Sequence, residues 1–71
     1  MLSRKTPGVQ IGSRFVKVGD TYGRVWVVIR LWTTIDGLPH VRLENNSQHH
    51  ETRIIAVSAL LDDHFYIPAP P

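Results

Sequence analysis

Arg24-Val25-Trp26-Val27-Val28-Ile29-Arg30-Leu31-Trp32-Thr33, then Thr34-Ile35-Asp36-Gly37, then Pro39-His40-Val41-Arg42-Leu43-Glu44, is the stretch that decides the fold. Its first segment is rich in β-branched and aromatic residues and has no Pro or internal Gly, which predicts a long strand. Strand side chains alternate, so Val25, Val27, Ile29 and Leu31 are expected on a core face. Arg24, Trp26, Val28, Arg30 and Trp32 are expected on the other. A two-residue Asp-Gly turn would set Leu31 opposite Arg42. Taking Gly37 as the left-handed residue that closes a type I turn with a bulge sets Leu31 opposite Val41 and Ile29 opposite Leu43. A one-residue slip would move the apolar set to the wrong face, so burial selects the bulged turn.

The rest of the chain reads as short elements around this hairpin. Ser13 to Val18 predicts a first strand, and Gly19-Asp20 a turn. Pro39 opens the return arm, where it costs no interior ladder bond. Asn45 to His50 is polar and predicts an exposed loop. Glu51 to Val57 predicts another strand, with Ser58 placed to cap one helical turn over Ser58 to Asp62. His64 to Ile67 predicts a last short strand. Pro68-Ala69-Pro70-Pro71 predicts an extended tail that leaves the ladder. A rival reading runs Ile55 to Phe65 as a longer helix packed on a three-stranded sheet. The adjacent β-branched isoleucines weigh against it.

Strand, long hairpin, strand, one helical turn, short strand is an order that resembles the small SH3-like barrels, including the Tudor and KOW-type versions. The resemblance covers residues 13–67 and is one of architecture; it implies an all-β barrel of about five strands and carries no functional residue across. The expected organisation is a basic arm over residues 1–10, a single domain over 11–67 and a Pro-rich tail over 68–71.

Composition narrows the chemistry. Seventy-one residues make one domain, near the lower size at which a single core suffices, and the hydrophobic content of 42% is that of a folded chain. There is no Cys, which excludes disulfides and Cys-based zinc sites. The polar start, Met1 to Gly8, lacks the apolar region of a secretory signal, and the longest apolar run, Val25 to Ile29, is far short of a membrane span. The expected location is cytoplasmic. The formal net charge is +2. Residues 1–30 carry Arg4, Lys5, Arg14, Lys17, Arg24 and Arg30 against Asp20 alone, while acids outnumber bases in residues 31–71. Such asymmetry points toward an anionic partner, against the plainer reading of a mixed solvated surface.

No phosphate-binding glycine loop, Gly-x-Ser-x-Gly or His-Glu-x-x-His occurs, so no enzyme, cofactor or metal is expected. His40, His49-His50 and His64 are spread along the chain, which works against a shared ion. The strongest signal is the strand face of Arg24, Trp26, Arg30 and Trp32, joined across the hairpin by His40 and Arg42. Glu44 is expected opposite Val28. Arg30 opposite Arg42 puts like charges together, which favours an anion or an aromatic ring between them. Trp and Arg are the residues most enriched at interface hot spots, so the leading expectation is a non-enzymatic module that binds a protein partner or its own copy. Basic residues interleaved with aromatics also suit RNA or DNA, with Arg4, Lys5, Arg14 and Lys17 extending the surface. A third reading folds the tryptophans into the chain's own core.

Overall fold

The computed structural model describes residues 8–45 and 50–70. Its elements are β1 (Arg14–Lys17), β2 (Val25–Thr33), β3 (Pro39–Asn45), β4 (Glu51–Ala56), α1 (Val57–Leu60) and β5 (Tyr66–Pro68). The strands form one antiparallel sheet in the order β4-β3-β2-β1-β5. The sheet is open, and β4 and β5 are its edges. The chain is thus a small all-β domain with one short helix. No helix among the described residues is long and apolar enough to cross a membrane.

The hairpin turn forms as its residues dictate. Gly37 has φ +80°, and its N–H donates to the Thr34 carbonyl at 2.8 Å, closing a turn with a left-handed residue that suits glycine. The far half of the hairpin therefore takes the expected register, Leu31 opposite Val41, Trp32 opposite His40 and Arg30 opposite Arg42.

Toward the middle of β2 the register changes. A bulge between Val28 and Arg30 leaves Ile29 without a pair, so Val28 faces Leu43, Val27 faces Glu44 and Trp26 faces Asn45. Ile29 opposite Leu43 and Val28 opposite Glu44 are both overturned. The core consists of Phe15, Trp26, Val28, Val41, Leu43, Leu60 and Tyr66, while Val25, Val27 and Ile29 are only half-buried and Leu31 is 39% exposed. The cause is packing. Every residue from Val25 to Ile29 is apolar, so either alternation is locally acceptable, and the larger payload of Trp26 against Phe15 and Tyr66 selects the phase. The extra residue then resets the alternation so that Leu31 still meets Val41.

Other boundaries move for identifiable reasons. β4 stays paired to β3 through Ala56 opposite His40, so α1 starts at once and Ser58 lies inside it. Ala56 precedes the helix without a side-chain cap, and Leu60 seals the core from above. The long-helix alternative is replaced by these four residues. Asn45 belongs to β3 and is buried; residues 46–49 of the expected loop lie outside the described residues. β5 starts at Tyr66 and includes Pro68, which pairs with Phe15, and the Ala69 N–H donates to the Arg14 carbonyl at 2.9 Å. An outer strand tolerates proline because the missing N–H can face away from its neighbour. Of the expected arm, residues 1–7 lie outside the described residues, and Val9 packs against the core.

Candidate functional site

Cross-strand partners share a face, so the register divides the expected site residues into two groups. Arg30, Trp32, His40 and Arg42 stand together on the side of the sheet away from α1. Trp26 turns to the core side, where it is 3% exposed, and Arg24 lies in the β1–β2 loop beside it. The bulge at Ile29 causes the division.

On the outer side, Trp32 and His40 stack with ring centroids 6.1 Å apart and planes 27° from parallel. The Arg30 guanidinium lies over Trp32, 5.3 Å from the ring centroid. His40 Nδ1 sits 3.1 Å from the Leu38 carbonyl, which steadies the imidazole. Arg42 faces Arg30 across the ladder, and its Nε–H is buried with no hydrogen-bond acceptor among the described residues. A buried donor left unmade costs about 1–3 kcal/mol. Beside Arg42, the edge strand contributes Ile54, 61% exposed. Val16, Val25, Val27 and Ile67 continue the same face toward β5, with Arg14 at its margin. Glu44 is its one acid among the described residues, and its Oε2 is 3.0 Å from His50 Nε2. The outer face is therefore an aliphatic sheet surface studded with arginine.

On the core side, the mouth of the sheet opens as a cleft of about 350 Å³ between the β1–β2 loop and the start of β4. Trp26 is part of its lining, and the Arg53 guanidinium lies 4.8 Å from the centroid of that ring. The loop is organised by Asp20. Its Oδ1 accepts the Tyr22 N–H at 3.0 Å, and its Oδ2 accepts the Arg24 N–H and Nε–H, each at 3.2 Å. The Tyr22 N–H foremost, with Arg24 adding to it, holds the Asp20 carboxyl below its ordinary pKa. Tyr22 is 82% exposed and carries the Arg24 guanidinium 5.3 Å from its ring centroid. Arg53, Tyr22 and Asp20 escape a reading by strand alternation. The usable signal was the Asp20-to-Arg24 spacing between Gly19 and Gly23, which marks a side-chain-capped turn.

The basic residues expected to extend a nucleic-acid surface also separate. Arg14 is on the outer face, Lys17 lines the cleft, and Arg4 and Lys5 lie outside the described residues. Between α1 and β5, Asp62, Asp63 and His64 come together. Asp62 Oδ1 accepts the His64 N–H at 2.9 Å and lies 3.0 Å from its Nδ1, the arrangement of a capped turn. Comparison of the chain with protein-family models, curated proteins and solved structures finds no match.

Proposed function

We propose that this chain is a non-enzymatic interaction module whose outer sheet face, centred on Arg30, Trp32, His40 and Arg42, takes an acidic segment of a partner protein. The observation that carries the reading is the Arg30–Arg42 pair. Two like charges face each other across a ladder, one with a buried unmet donor, beside an ordered aromatic stack. A carboxylate placed between them would pair with the guanidinium groups and screen the repulsion. Beyond the Trp32–His40 stack the face is aliphatic, and Ile54, Val27 and Ile67 offer no further ring on which successive bases can stack, which favours protein over nucleic acid. The arginines disfavour self-stacking of this face, since a second copy would bring more of them. We also read the strand order, with its single helical turn between β4 and β5, as that of an SH3-like barrel left open.

The two tryptophans lie on opposite sides of the sheet, so their indole N–H resonances report the two sides separately, with Trp32→Phe giving the assignment. A short peptide alternating Glu and Ile is expected to shift the Trp32 signal saturably and leave Trp26 unmoved. Arg42→Met should weaken that binding about tenfold or more, the usual weight of a charge-assisted hydrogen bond. An unmoved Trp32 signal sinks the reading. So does binding of oligothymidylate alone, with affinity falling steeply in salt.

A further inference from the structure

We propose that the cleft between the β1–β2 loop and β4 is a second site, one that takes the phosphate or carboxylate group of a small ligand. Two guanidinium groups line it, and each lies over an aromatic ring, Arg53 over Trp26 and Arg24 over Tyr22. Such contact steadies a guanidinium, and Arg53 keeps its in-plane N–H groups available for the forked contact that oxyanions accept, while Arg24 gives its Nε–H to Asp20. Lowering the freedom of these side chains beforehand reduces the entropy lost on binding.

The charge balance favours an anion. Asp20 is occupied by Tyr22 and Arg24, with an Arg24 Nε to Oδ2 distance of 3.2 Å, so this acid and base offset each other. Lys17 and Arg53 have no ion pair among the described residues, and besides Asp20 the lining holds one acid, Glu51. A volume of about 350 Å³ falls at the small end of ligand sites and exceeds what a bare anion fills. The exposed ring of Tyr22 gives an apolar wall for whatever carries the anionic group.

Backbone and indole ¹⁵N–¹H shifts of the whole chain, followed while sodium phosphate or sodium acetate replaces chloride at constant ionic strength, test the site. The expected result is saturable movement of the Tyr22, Arg24 and Arg53 amides and of the Trp26 indole in at least one series. The more tightly bound anion identifies the group preferred. Arg53→Gln and Lys17→Gln should each weaken binding several-fold. Arg53→Lys should fall between wild type and Arg53→Gln, because it keeps the charge and loses the fork. Shifts no larger than those of the chloride reference overturn the proposal, as does binding unchanged in Arg53→Gln. If phosphate moves the Trp32 indole alone, the cleft is refuted while the outer-face reading stands.

Discussion

Deleting Ile29 should leave the fold intact. Removing a residue from the middle of a nine-residue strand ordinarily turns every later side chain to the wrong face. Here the partner strand already skips this residue, because Val28 faces Leu43 and Arg30 faces Arg42, the very next position. Deletion converts the bulge into regular ladder. The contacts of β1 are kept, since it pairs with Val25 to Val27 and, through Gly12 and Ser13, with Val28. The loss is a half-buried isoleucine side chain, about 1 kcal/mol at half the value of full burial. A restored ladder bond returns about 0.5–1.5 kcal/mol. The net change should stay within about 1 kcal/mol, read as a small displacement of the denaturation midpoint at constant slope. Were Ile29 a core residue facing Leu43, its removal would cost about 2–5 kcal/mol in packing alone. A loss above about 3 kcal/mol, or a non-cooperative transition, refutes the bulge.

Leu60→Ala should cost about 2–5 kcal/mol, enough to depopulate the native state of so small a domain, and thermal unfolding will read it. Arg42→Met should raise stability by about 1 kcal/mol while weakening partner binding, because it removes the buried unmet donor and the cross-strand repulsion together. Asp20 has its pKa lowered chiefly by the Tyr22 N–H, so its contribution is complete above the unfolded carboxylate value and disappears as the pH falls through the folded one. Amide exchange at Tyr22 and Arg24, relative to the intrinsic rate, should therefore quicken only once the pH falls below the ordinary carboxylate value. Asp20→Asn should abolish that dependence.

Much of the hairpin was legible because its far half contains decisive residues. Asp36-Gly37 admits few turns, and charged Arg30 and Arg42 mark the outer face beside Leu31 and Val41. The near half offers no such mark. Val25-Trp26-Val27-Val28-Ile29 is apolar in both phases, and the choice rests on the distant Phe15 and Tyr66, which alternation within β2 does not reveal. That one ambiguity also decided the site. Arg30, Trp32, His40 and Arg42 stayed together because they lie beyond the bulge, while Arg24 and Trp26, before it, went to the cleft. The helix boundary was hidden similarly, since Ala56 is claimed by its pairing to His40 before Ser58 could act as a cap.

The two edges of the open sheet are not equally guarded against growth. β5 is three residues long and ends in Pro68, a poor template for another strand. β4 is six residues long, contains no proline, keeps an unbroken register with β3 and bears Thr52 and Ile54 on its exposed length. Its outward N–H and C=O groups are matched among the described residues by no further strand, and its gatekeepers are Glu51 and Arg53. At high protein concentration, ribbon-like aggregation should begin along β4, and Ile54→Lys is the smallest change that would blunt it.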